Sequence, residues 1–124
     1  MSIRRVVPDI ESGQMQKSAE FYTDVLGFRK SMDLDWVVTF TSPTNPTAQI
    51  TLIRQDPSGL LPDMTVEVDD VNAIHTRATE RGYDIVYGIT DEPWGVRRFF
   101  VREPNGKLIN IMSHTGREAK AGDG

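Results

Sequence analysis

A chain of 124 residues with 38% hydrophobic and 26% charged residues can build one compact domain around one core, and is too short for two ordinary domains. It has no cysteine, which excludes disulfides, zinc–thiolate sites, iron–sulfur clusters and a cysteine nucleophile. A net charge of -4 argues against a general phosphate-backbone binder, so no nucleic acid partner is expected. No run approaches the roughly 20 apolar residues that span a bilayer, and Met1 to Arg5 opens no signal-like segment. The expectation is a cytoplasmic protein with no membrane partner.

Ile3 to Glu11 carries β-branched residues and reads as a strand that breaks at Ser12-Gly13. From about Gln14 the period changes, because Ser18, Phe21, Tyr22 and Val25 recur at the spacing of one helix face, and Gly27 suits the stop. Three strands are predicted next: Phe28 to Met32, Trp36 to Thr41 and Ala48 to Ile53, with Ser42-Pro43-Thr44-Asn45-Pro46 turning the chain before the last. The same order then returns. Met64 to Val68 alternates as a strand, Asp69 or Asp70 can cap a helix whose apolar stripe is Val71, Ile74 and Ala78, and Gly82 ends it. Strands are expected at Ile85 to Tyr87, Val96 to Val101 and Leu108 to Met112, with Glu103-Pro104-Asn105-Gly106 as a hairpin turn. The end, 115–124, reads as a flexible tail.

The chain therefore predicts an α+β fold of two tandem βαβββ modules, about 3–54 and 63–114, within a single domain over 1–114. Neither module buries enough apolar surface alone, so their sheets should join as one curved mixed sheet around an open cup, with the helices on its outer face. Side-chain alternation assigns the faces. Ile50 and Leu52 oppose Gln49 and Thr51; Ile109 and Ile111 oppose Leu108, Asn110 and Met112; Met64, Val66 and Val68 oppose Asp63, Thr65 and Glu67. One face is apolar and fits beneath a helix, whereas the other is mixed and suits a cup reached by solvent.

Phe21-Tyr22-Thr23-Asp24-Val25-Leu26-Gly27-Phe28 resembles the helix end of the vicinal oxygen chelate superfamily, which holds glyoxalases, bleomycin-resistance proteins and dioxygenases. Val66-Glu67-Val68-Asp69-Asp70-Val71 is similar to that superfamily's second-module opening, and Pro93 to Gly106 to its closing hairpin. The resemblance implies a cup formed by paired modules, often in a homodimer whose chains complete each other's site. It also implies, for the metal-using members, one divalent ion held by a His on the first strand of each module and an acidic residue on the last. The matching positions are Val7, Asp63, Thr51 and Asn110. Valine cannot coordinate, and Thr and Asn are weak neutral ligands, so neither a metal nor another cofactor is expected.

Several side chains are candidates for contact with a small-molecule ligand. Trp94, between Pro93 and Gly95, can lie over an aromatic ring, and Trp36, at the start of a strand, can either pack or line the cup. Phe99 and Phe100 must point to opposite faces, so Phe100 is a lining candidate and Phe99 a core residue. Asp63 and Glu67 share a face, as do Asp9 and Glu11, and together these carboxylates would favour a cation. Asp63 is also the one candidate general base. Thr51 and Asn110 complete the expected ligand contacts. Either Arg97 or Arg98 should face the cup and pair with a neighbouring carboxylate, while His75 is expected to pack and His114 to reach the rim. The chain thus reads as a binder of an aromatic or cationic compound that uses no metal, resembling the bleomycin-resistance type. The alternatives are a glyoxalase-like lyase, isomerase or dioxygenase with a non-standard metal site or Asp63 as base, and an interaction module with a filled cup.

Overall fold

The computed structural model describes residues 2–115. β1 (Ile3–Glu11) leads into α1 (Met15–Glu20), which continues as a π-helical turn over Phe21–Val25. β2 (Arg29–Asp33), β3 (Val37–Thr41) and β4 (Gln49–Ile53) complete the first module. The second repeats the order with β5 (Met64–Val68), α2 (Val71–Glu80), β6 (Asp84–Glu92), β7 (Val96–Arg102) and β8 (Leu108–His114). The strands form one open sheet of eight in the order β2-β3-β4-β1-β5-β8-β7-β6. β1 runs parallel to β4 and β5 parallel to β8, while β1 and β5 pair antiparallel and so weld the modules edge to edge within one chain.

The helix ends follow local chemistry. Asp70, rather than Asp69, caps α2 by accepting the Ala73 amide, and Asp69 instead accepts the Ser2 amide. Gly27 and Gly82 close the two helices at φ of 80° and 79°, a region that costs side-chain-bearing residues energy. The π-helical turn has no sequence signature; there the Thr23 hydroxyl donates back to the Ala19 carbonyl. β6 is longer than the predicted Ile85 to Tyr87. Gly88 interrupts the alternation and the register shifts between Tyr87 and Thr90, yet pairing with β7 resumes through Glu92. Trp36 sits in the β2–β3 turn, one residue before β3 rather than within it.

The outer face carries the core expected under the second helix. Val68, Val71, Phe99, Ile109 and Ile111 are buried together, with Ile74 and Ala78 of α2 packed against them. Each fully buried side chain of this size contributes about 1.5–3 kcal/mol. His75 meets the Phe99 ring edge-on at 4.9 Å and is a packing residue of this layer. Under the first helix, Tyr22 reaches Phe40 and Phe28. Of the predicted tail only Thr115 is described, its amide donating to the Gly95 carbonyl; 116–124 lie outside the described residues. Among the described residues no helix is long and apolar enough to cross a membrane.

Candidate functional site

The concave face opposite the helices encloses a cavity of about 610 Å³, including the part open to solvent, and both modules of the same chain line it. Its side chains follow strand alternation. Val7 and Asp9 come from β1, Gln49, Thr51 and Ile53 from β4, Thr65 from β5, and Asn110 and Met112 from β8. The cup is therefore assembled within one chain.

Trp36 from the β2–β3 turn and Trp94 from the β6–β7 turn meet across the module boundary. Their ring centroids are 5.2 Å apart with the planes inclined at 65°. Both rings line the cavity and neither is fully buried. Edge-to-face pairs of this kind are worth about 0.5–1.5 kcal/mol beyond the area they bury. Trp94 also lies 5.0 Å from the Arg98 guanidinium.

The floor is polar and hydrogen-bonded in a row. The Asn110 amide nitrogen donates to Thr65 Oγ1 at 3.0 Å, and the Thr65 hydroxyl donates to Asp9 Oδ2 at 2.7 Å. Thr39 and Thr51 hydroxyls approach to 3.4 Å beside them. Burial pushes the Asp9 carboxyl up to about 7, with the negative charges of Asp56 and Asp63 adding to the rise and the Thr65 hydrogen bond and Arg98 opposing it. Asn110 Oδ1 is buried without a hydrogen-bond partner among the described residues.

Arg98 is the cup-facing member of the Arg97-Arg98 pair and is 3% exposed. It grips Asp56 with two hydrogen bonds of 3.0 and 2.9 Å and Glu92 with a third of 2.7 Å. Burial works against its charge, yet these two carboxylates hold the guanidinium above its ordinary value. Arg97 points to the other face and pairs with Asp91 and Asn72. Arg5 lines the cup with its charge engaged by Glu67 at 2.6 Å, and its guanidinium also bonds Gln49. Burial would raise the Glu67 carboxyl, but the hydrogen bond with His114 at 2.9 Å and the Arg5 charge hold it below the usual range.

Four of the seven side chains expected to meet a ligand, Trp36, Thr51, Trp94 and Asn110, line the cavity together. The other three are placed elsewhere. Phe100 is on the cup side of β7 but wholly buried, behind the Arg98 guanidinium at 4.8 Å and the Tyr87 ring at 5.0 Å. Asp63 lies before the start of β5, where its carboxylate accepts the Leu108 amide at 2.8 Å outside the lining. Glu67 supports Arg5 and His114 rather than the cavity wall. The expected acidic field thus gives way to a balanced lining, with Arg5 and Arg98 facing Asp9 and Asp56. Asp56 and Glu92 were not singled out from sequence; an Arg facing the cup is the one signal that required such partners.

The donors at the four metal-binding positions of the resemblance do not fit a divalent ion. Val7 has no donor, Thr51 turns to Thr39, Asn110 is tied to Thr65, and Asp63 is bound to a backbone amide outside the cup. Among the described residues no three His, Asp or Glu gather where they could hold a metal.

The chain matches the family model of the Glyoxalase/Bleomycin resistance protein/Dioxygenase superfamily over residues 5–111. Its fold is similar to that of a glyoxalase/bleomycin resistance protein/dioxygenase superfamily member from Vibrio splendidus 12B01, at 21% identity and a TM-score of 0.66, covering 90% of this chain and 99% of that one. It is also similar to methylmalonyl-CoA epimerase from Mycobacterium tuberculosis, at 20% identity and a TM-score of 0.65, covering 90% and 87%. The Mn(II)-bound glyoxalase from Novosphingobium aromaticivorans matches at 22% identity and a TM-score of 0.62 over 94% of this chain and 39% of that one. No curated protein matches the sequence.

Proposed function

The chain belongs to the glyoxalase/bleomycin resistance protein/dioxygenase superfamily, and within it we propose a metal-independent binder of a small aromatic compound. The observation that carries this reading is the Trp36–Trp94 pair, which sets two partly open indole rings, one from each module, on the wall of a cavity whose floor is uncharged apart from Asp9. Flat aromatic surface is what such rings bind best, since stacking adds to the transfer of apolar area from water. A cation is not required, because the lining arginines and carboxylates offset each other. The four positions at which a metal would sit offer a valine, two neutral side chains and a carboxylate directed elsewhere, which supports binding through side chains alone.

Tryptophan fluorescence tests the proposal with a set of planar aromatic probes, neutral and basic. Saturable quenching that a chelator leaves unchanged, weakened at least tenfold in Trp94→Leu, is the expected result; no saturable quenching by any probe overturns it. The expected homodimer remains part of the proposal. It is supported by Phe21, Val25 and Leu26, which are 49%, 67% and 56% exposed at the end of the first helix, and sedimentation velocity checks it.

A further inference from the structure

Asn110 stands on the cup face of β8 with its amide held at one end. The Thr65 hydroxyl spends its one hydrogen on Asp9 Oδ2 at 2.7 Å, so its oxygen accepts from the Asn110 nitrogen at 3.0 Å. An amide turned the other way would set oxygen against oxygen. Asn110 Oδ1 is left over, an acceptor in a side chain that is 9% exposed, lines the cavity and has no hydrogen-bond partner among the described residues. The sheet around it supplies no donor. Asn110 lies opposite Thr65 of β5 and Phe100 of β7, and its neighbours along the same face of β8 are Leu108 and Met112. Phe100, Leu108 and Met112 are apolar and buried, and the Thr65 hydrogen is already given away. Arg98, two residues along β7 from Phe100, is held by Asp56 and Glu92. That leaves the cavity as the side from which a donor can arrive.

We propose that Asn110 is the specificity-determining residue of the cup, its carbonyl oxygen selecting aromatic compounds that carry a hydrogen-bond donor on the ring edge, such as the N–H of a lactam. Thr65 is the positioning residue that keeps the amide turned this way. This deepens the proposed aromatic binding and rests on it. Trp36 and Trp94 offer their rings to any flat aromatic surface, so stacking gives affinity without choosing between ring edges. The buried acceptor supplies the choice, because a ligand without a donor strips Oδ1 of solvent and returns nothing, a loss of about ten- to a hundredfold in affinity. The selection needs no particular ionisation of Asp9, since a carboxyl keeps an acceptor oxygen with or without its proton.

Quinolin-2-one and coumarin form the test pair, a lactam and a lactone of the same shape that differ by an N–H in place of a ring oxygen. Ring size and stacking stay constant between them. Calorimetric titration of the full chain should give binding of quinolin-2-one at least about tenfold tighter than that of coumarin. Asn110→Leu, close in shape and without an acceptor, should bring the two within about threefold, chiefly by weakening quinolin-2-one. Thr65→Val leaves Asn110 in place but frees its nitrogen end, so the loosened amide can meet coumarin with its NH₂ and the gap should narrow from the coumarin side. It decides the matter should Asn110→Leu fail to fold. A loss of packing in either variant would weaken both probes together and leave their ratio as it was. Equal wild-type affinities, the result if solvent alone meets Asn110 Oδ1, or a ratio that either variant leaves unchanged, overturn the proposal while aromatic binding stands. If neither probe binds but other planar aromatics quench the tryptophans, the edge selection falls alone; if none quenches, the cup reading falls with it.

Discussion

The two modules repeat one order of elements but seal their sheets differently. In the second, α2 has ten residues, an Asp70 cap and a buried Val71, and it covers β6, β7 and β8 through a layer that includes the fully buried Phe99. In the first, α1 has six residues, no side-chain cap bond and no buried residue, and the π-helical turn after it leaves Phe21, Val25 and Leu26 open to solvent. The same difference holds on the concave face. The second module supplies Arg98 with its two buried carboxylate contacts, whereas the first supplies the half-buried Trp36 and Asp9. A repeated pattern thus yields one half whose helix seals the sheet and one half whose helix end stays open to solvent.

Paired substitutions put this asymmetry at risk. Phe99→Ala should cost about 3–5 kcal/mol in urea unfolding, because a large ring leaves a fully packed site, whereas Phe21→Ala at the open helix end should cost less than about 1 kcal/mol. Similar losses for both would contradict the contrast. Arg98→Met should cost about 3–5 kcal/mol by leaving Asp56 and Glu92 buried without their cation, against roughly 0–1 kcal/mol for Arg97→Met on the solvent-facing side.

Asp9 gives the next effect, and its sign is set by linkage. Its folded carboxyl lies at about 7, above the ordinary carboxylate value of 3.8, so the folded state holds a proton that the unfolded chain has released between those values. Stability should therefore fall as pH rises from about 4 to about 7 and level off above, by on the order of 4 kcal/mol at most. Asp9→Asn should flatten that slope, stabilising the fold at pH 8 and leaving it nearly unchanged at pH 4. An unaltered slope in thermal melts across this range would contradict the assignment.

Much of the architecture is legible in the residues. Period-two alternation placed Gln49, Thr51, Thr65, Asn110 and Met112 on the cup face, and the structure finds them there, because burial on one side is enforced along every paired strand. The same rule failed at Asp63, since it holds only inside a strand and β5 begins one residue later. Phe100 obeyed alternation but not exposure, which depends on Tyr87 and Arg98 from the neighbouring hairpin. Asp56 was invisible for a related reason. It stands in a turn-rich linker that reads as solvated, and only the tertiary approach of Arg98 buries it. Glu92 escaped notice because Gly88 hides the second half of β6.

Binding in the cup without an ion is put to the test by calorimetric titration of one protein preparation with the neutral planar aromatic quinolin-2-one, before and after exhaustive chelation. Equal affinity and one ligand per chain in both titrations is the predicted result. Binding that disappears on chelation and returns with a stoichiometric divalent ion would contradict it.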